Sequence, residues 1–237
     1  MAKRVNFIFL FIPIMVKKFT ILGERCSGTN FLESAMIENF DVELTWEYEF
    51  KHFFGFNEFI NSDDVLFIGI VRDPYAWINS LYIKKYHLSP ELRKNVFNYL
   101  NKPFWSFFDT KESKRNGQYG KEIMHDRHIY TKERYENIYD CRKTKLRYLI
   151  DDMPNKVKNY ILIKYEDLRD NFAATLELIR QKGNLQIKSN IEYPVKVTYI
   201  HNKNKKFTGN SRQVLGKDMV LSHKCFDTYY EKKLGYA

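Results

Sequence analysis

Uninterrupted apolar runs alternate along this chain with stretches of helical period. Residues 65–71 (VLFIGIV) are apolar throughout, the pattern of a strand buried on both faces of a parallel sheet. Residues 18–22 and 160–165 read as shorter strands of the same kind, and residues 42–50, rich in aromatic and branched side chains, read as extended. Between them, Phe31, Leu32, Ala35 and Met36 share one helix face, and residues 131–151 predict a long amphipathic helix with Ile138, Leu146, Leu149 and Ile150 among its apolar positions. Asp73-Pro74 is a helix start, with Asp as cap and Pro in the first turn, and Ser89-Pro90-Glu91 repeats the signal. Further helices are expected from Asp167 onward and over residues 226–234. Residues 101–127 are polar and aromatic with weak periodicity, which predicts a mobile or substrate-covering segment. The alternation of strands and helices predicts an α/β fold, a single domain with a central, mainly parallel sheet flanked by helices.

Composition narrows the class. The chain has 237 residues, 44% hydrophobic and 29% charged, which excludes disorder as a description of the whole. Lys and Arg number 39 against 29 Asp and Glu, a net charge of +10 that predicts attraction to something anionic without choosing among nucleotide, nucleic acid and membrane. Cys26, Cys141 and Cys225 are widely spaced and form no Cys-x-x-Cys pair, so neither a zinc site nor a disulfide framework is indicated. Reduced thiols suit a cytoplasmic protein. Residues 1–16 are set apart as an apolar N-terminal extension to a domain over residues 17–237. The apolar run 5–16 is shorter than the roughly 20 residues of a spanning helix, and no small-residue cleavage site follows it. An extra edge strand or loose extension is the preferred reading, with Met15 as an alternative start. Membrane association, or entry to the secretory pathway through this segment, is the alternative.

Two loops carry candidate chemistry. The first, residues 23–30 (GERCSGTN), has the spacing Gly23-x4-Gly28 between a strand and a helix, where backbone N–H groups and a helix N-terminus can face an anion. In nucleoside triphosphatases the second Gly is followed by Lys and then Ser or Thr. Here Thr29 and Asn30 stand there, which disfavours a kinase or ATPase but not anion binding. The second loop follows the 65–71 strand: Arg72 sits at its C-terminal end, where open α/β sheets bind ligands, and Ser80 lies two turns into the next helix. A charged fork and a hydroxyl converging there suit one phosphate.

Taken as an ordered pair, these loops resemble the sulfotransferases that use 3′-phosphoadenosine 5′-phosphosulfate, and the chain is similar to their P-loop-like fold. Ser27-Gly28-Thr29 looks like the family's 5′-phosphosulfate loop, and Arg72 with Ser80 like its 3′-phosphate pair. Tyr165-Glu166-Asp167-Leu168 resembles a recurrent segment, and the likeness extends weakly through Glu133-Arg134-Tyr135-Glu136-Asn137 to Lys233-Leu234-Gly235-Tyr236. The resemblance implies transfer of a sulfuryl group to a hydroxyl of a carbohydrate, a tyrosine or a small alcohol, without a metal and without nucleic acid as a partner. It implies a donor site over Gly23, Arg25, Cys26, Ser27, Gly28, Thr29, Asn30, Arg72 and Ser80. The chain departs from the pattern at Cys26, where the family commonly has Lys or Arg. Arg25 is the first choice for the cation at the bridging oxygen and Lys51 the second.

An acceptor hydroxyl must lose a proton, so a base is required. His52 is the first candidate, with Glu47, Glu49 and His87 as alternatives. Cys26, beside Arg25 at a helix start, is a candidate for a lowered thiol pKa. Lys203, Lys205, Lys206 and Arg212 form a basic loop, solvated in the plain reading and nucleotide-binding in the functional one. The competing readings are a nucleoside or nucleotide kinase with a degenerate phosphate loop, a non-enzymatic basic module that binds nucleic acid, and a catalytically dead sulfotransferase-like binder.

Overall fold

The structure is a computed structural model in which residues 15–197, 199–200, 205–206 and 212–236 are described. Four strands form one all-parallel sheet: β1 (Lys18–Leu22), β2 (Glu43–Leu44), β3 (Val65–Val71) and β4 (Tyr160–Lys164), in the order β2-β1-β3-β4. The helices are α1 (Thr29–Asn39), α2 (Pro74–Lys84), α3 (Val96–Asn101), α4 (Lys111–Arg115), α5 (Ile138–Arg147), α6 (Met153–Lys156), α7 (Tyr165–Asp170), α8 (Phe172–Gly183), α9 (Lys217–Leu221) and α10 (Tyr229–Lys233). A short antiparallel pair, β5 (Tyr199–Ile200) with β6 (Lys205–Lys206), stands apart from the main sheet.

Every residue of β3 is buried, because the strand lies between β1 and β4 and is covered on both faces. Its side chains alternate between two cores. Leu66, Ile68 and Ile70 join Phe19 and Ile21 under α1, α7 and α8, with Leu32, Leu168 and Ile179 among the partners. Val65, Phe67 and Val71 face the other way, onto Tyr148, Leu149 and Met153. A third cluster ties α2, α3 and α5 together through Trp77, Ile78, Tyr99, Leu100, Ile138 and Cys141. The result is the expected α/β sandwich, with helices on both faces of a parallel sheet.

The strand order changes direction between β1 and β3, and ligands of open α/β sheets bind outside the strand ends at such a point. Both candidate loops leave the sheet there, one from each strand.

Several local expectations change. Residues 42–50 are not one strand: only Glu43–Leu44 pairs, and the chain then turns back on itself. The 131–151 helix begins later, at Asn137, whose side chain accepts from the Tyr139 and Asp140 amides, and it widens to a π-helical turn over Tyr148–Asp152. The helix signalled at Ser89 begins instead at Asn95, which caps α3 by accepting from the Asn98 amide. Residues 101–127 are packed at both ends, where Phe104, Ser106, Phe107, Ile123 and Asp126 are buried, and exposed over most of residues 110–121. Of the expected N-terminal extension, residues 1–14 lie outside the described residues, while Val16 joins the core under α1. Among the described residues no helix is long and apolar enough to cross a membrane.

Candidate active site at two neighbouring strand ends

The loop after β1 curls because the Ser27 amide and hydroxyl both donate to the Glu24 carbonyl, at 3.1 and 2.6 Å. Two residues of the curl, Cys26 and Gly28, have left-handed backbone, at φ 68° and 97°. Gly28 has a second constraint: a Cβ there would meet the Tyr165 ring at 2.3 Å. Gly28 opens α1 without any side chain capping it, and the first turn of α1 contains no acidic residue. Among the described residues, the α1 N-terminus therefore presents amides and the positive end of its dipole with no side chain capping them, the arrangement that favours an anion. By contrast, α2 is capped by Asp73, which accepts from the Ala76 amide at 2.8 Å.

The second loop closes onto the first. Arg72 Nη1 donates to the Cys26 carbonyl at 2.9 Å, and its guanidinium lies 4.7 Å from the centre of the Tyr165 ring. The Ser80 side chain lies beside the Cys26 thiol, near enough to act on its pKa. Arg72 and Ser80 thus both lie against Cys26 of the first loop. Arg72 Nε is buried with no hydrogen-bond partner among the described residues. It lines, with Glu24, Ser27, Trp77, Arg142 and Lys145, a cavity of about 20 Å³. A cavity of about 490 Å³ at the outer edge of β4, lined by Leu162, Ala174 and Leu178 among others, includes no residue of either loop.

Two further sequence candidates meet the first loop. His52 Nδ1 lies 2.8 Å from the Gly23 carbonyl. A carbonyl only accepts, so the hydrogen sits on Nδ1 and Nε2 keeps its lone pair. Burial pushes the His52 pKa well below its ordinary value; the Gly23 bond opposes this, and the Lys51, Arg25 and Lys145 charges add to it. Lys51 Nζ donates to Asn30 Oδ1 at 2.6 Å and pairs with Glu33 at 2.9 Å, which sets it beside the first turn of α1. Thr29 is buried at the start of that turn.

Other candidates fall elsewhere. Arg25, the first choice for the cation at the transferring group, is turned into the interior. Its Nη1 donates to Ser106 Oγ at 2.7 Å and to the Tyr86 carbonyl at 3.0 Å, and its Nη2 pairs with Asp126 at 2.9 Å. Glu49 is committed to structure: its carboxylate accepts from the Gly55, Phe56 and Asn57 amides at 2.7–3.1 Å. Glu47 is exposed and 3.5 Å from Lys18. His87 contacts Asp109 at 3.1 Å and stands edge-on to Phe53, which separates it from His52. The Cys26 thiol is not activated: burial pushes its pKa up, against smaller opposing effects of Ser80, Arg25 and Arg72.

The basic loop is only partly described. Lys203 lies outside the described residues, and Lys205 and Lys206 form β6. Its far end is tied to α2, where Asn79 Nδ2 donates to the Arg212 carbonyl at 2.8 Å, one residue before Ser80. Among the described residues no group of three His, Cys, Asp or Glu is placed to hold a metal ion.

Sequence reading missed Glu24, Asp126 and Lys145. Lys145 sits on the buried face of α5 and reaches Asp126 at 2.6 Å, the His52 carbonyl at 3.0 Å, and Glu24. The available signal was a lysine adjoining Leu146 on an apolar helix face, and that signal alone does not name its partners.

No protein-family model and no curated protein matches the chain. Among solved structures, the crystal structure of mouse sulfotransferase SULT7A1 complexed with PAP is similar to it at a TM-score of 0.36 and 14% sequence identity, over 73% of this chain and 61% of that one. The chain spans less than two thirds of that protein's length. At this level of likeness, activity is to be argued from the geometry of the site itself.

Proposed function

We propose that the chain is a sulfotransferase that binds 3′-phosphoadenosine 5′-phosphosulfate across the two strand-end loops and transfers its sulfuryl group to an acceptor hydroxyl. The observation that carries this reading is the convergence of Arg72 and Ser80 on Cys26, beside an α1 N-terminus with no cap of its own. The donor's two phosphate-bearing ends call for two adjacent anion cradles, and the two candidate loops leave neighbouring strands of the sheet. The fit rests on one feature, the buried Arg72 Nε that lacks a partner among the described residues.

The bound donor supplies an activated sulfuryl group and a bisphosphate leaving group. The protein's part is to orient, to stabilise charge and to move a proton. The amides at Gly28, Thr29 and Asn30 hold the 5′ end, and Lys51, bonded to Asn30 and paired with Glu33, is a cation beside the first turn of α1. It takes the role first assigned to Arg25, whose guanidinium is held by Asp126. His52 Nε2 accepts the acceptor's proton as the new S–O bond forms and the bond to the 5′-phosphate oxygen breaks. His52 is fixed for this by its Nδ1 bond to Gly23.

Thermal stabilisation by a panel of adenosine 3′,5′-bisphosphate, ATP with magnesium, and AMP tests the donor class. The bisphosphate at a hundredfold excess over its Kd is expected to raise Tm by about 5–10 °C, with the other two giving little. Arg72→Ala is expected to weaken that binding by about 1.5–3 kcal/mol, the loss of a charge-assisted hydrogen bond. A shift confined to ATP with magnesium would overturn the reading in favour of a kinase.

A further inference from the structure

Beneath the first loop lies a buried group of two carboxylates and two cations that transfer chemistry does not call for. Asp126 is at its centre, at the end of the 3₁₀ turn Met124–Asp126, with its side chain fully buried. One carboxylate oxygen accepts from Arg25 Nη2 at 2.9 Å and from Ser106 Oγ at 2.5 Å. The other accepts from Lys145 Nζ at 2.6 Å. Arg25 belongs to the phosphate loop. Lys145 contacts Glu24, its neighbour in that loop, and also donates to the His52 carbonyl. His52 in turn bonds Gly23, the first residue of the loop. Asp126, Lys145, His52, the loop and Arg25 therefore form a closed circuit, joined by residues far apart in sequence.

Stability alone does not explain the circuit. A buried ion cluster is often no more stabilising than well-packed apolar residues in its place, because desolvation offsets the attraction. What it does provide is direction, since each bond fixes a donor against an acceptor in a water-poor interior. The atoms fixed here are the backbone of the phosphate loop on one side and the backbone of His52 on the other. Burial alone would raise the Asp126 carboxyl, but Arg25 and Lys145 hold it below its ordinary value, so it remains the anion that both cations need.

We propose that Asp126 is a positioning residue that sets the phosphate loop and His52 in register with each other through Arg25 and Lys145. The consequence for transfer rests on the donor reading above; the mechanical coupling does not.

Asp126→Asn keeps the shape and removes the charge. Hydrogen exchange followed by mass spectrometry, with calorimetry using adenosine 3′,5′-bisphosphate, reads both parts. The expected result is exchange faster by about tenfold, roughly 1.4 kcal/mol of local opening, in peptides covering residues 23–30 and 50–55, with residues 65–71 of β3 unchanged. Bisphosphate affinity is expected to fall by a similar factor. Ser106→Ala, which leaves both ion pairs in place, is expected to loosen the same two segments to a smaller degree and serves if the Asn variant does not fold. Exchange that rises equally in β3, or that leaves either segment unchanged in the folded variant, overturns the proposal. If the unmodified protein fails to bind the bisphosphate, the donor reading falls, and the exchange pattern still decides the role of Asp126.

Discussion

His52 shows how much of a residue's chemistry is set by one backbone atom. Its bond to the Gly23 carbonyl fixes the hydrogen on Nδ1, and burial with three nearby cations keeps the ring neutral. In the unfolded chain the same ring takes a proton near its ordinary pKa of about 6.5. The unfolded state therefore binds more protons as the pH falls below that value. The stability contributed by neutral His52 is complete above about pH 6.5 and is lost as the pH falls from there toward the lower folded-state pKa. NMR titration is expected to show the Nδ1–H tautomer persisting well below pH 6.5, and His52→Gln is expected to flatten the acid side of the stability profile. An ordinary midpoint for this ring would remove it as the neutral base. Sequence order made His52 the first candidate, because it follows the 42–50 segment beside Lys51; its bond to Gly23 comes only from the fold. The resemblance made Arg25 the first choice at the reacting group, as the cation one position before Cys26. Only the fold discloses Asp126, 101 residues away along the chain, which takes that charge for the interior.

Elements whose pattern is set by burial were readable, and elements set by a turn or cap were less so. β1 and β3 run where their apolar stretches run, and α2 begins at Asp73-Pro74 as the cap predicts. The 42–50 segment failed as a strand because Glu49 folds back to satisfy the amides of residues 55–57, a tertiary demand that propensity does not register. The buried positions of residues 101–127 were not legible because they follow isolated bridges, such as Phe104 with Tyr135, instead of a period. The loop-to-α1 junction was readable from its glycines, and the structure gives Gly28 two separate reasons, its φ of 97° and the Tyr165 ring 2.3 Å from any Cβ. Gly28→Ala is expected to cost about 2 kcal/mol or more, from left-handed strain and displacement of that ring, and to lower Tm by about 4–8 °C. Because Arg72 stacks on the same ring, bisphosphate binding is expected to weaken as well. A variant as stable as the parent would show that the turn relaxes without the ring.

At the scale of the whole molecule, the C-terminal segment holds the second loop in place. Arg142 of α5 donates from Nη2 to the Arg72 carbonyl at 2.9 Å and forms a two-pronged pair with Glu231 of α10, at 2.5 and 2.8 Å. Tyr236 donates to Glu166, whose other oxygen accepts from the Asp73 amide, so both sides of the Arg72 turn are tied to the last turn of the chain. No residue spacing could have shown that residues 231–236 support this loop. Glu231 is 1% exposed, and removing its carboxylate leaves Arg142 charged and unpaired in the interior. Glu231→Ala is therefore expected to cost about 3–5 kcal/mol in chemical denaturation, whereas Glu231→Leu combined with Arg142→Met should recover most of that loss. The double variant separates packing from positioning: it restores an apolar interior but no longer fixes the Arg72 carbonyl. Recovered stability with bisphosphate affinity still reduced is the expected outcome, and full recovery of both would mean that α10 contributes to the fold without steering the site.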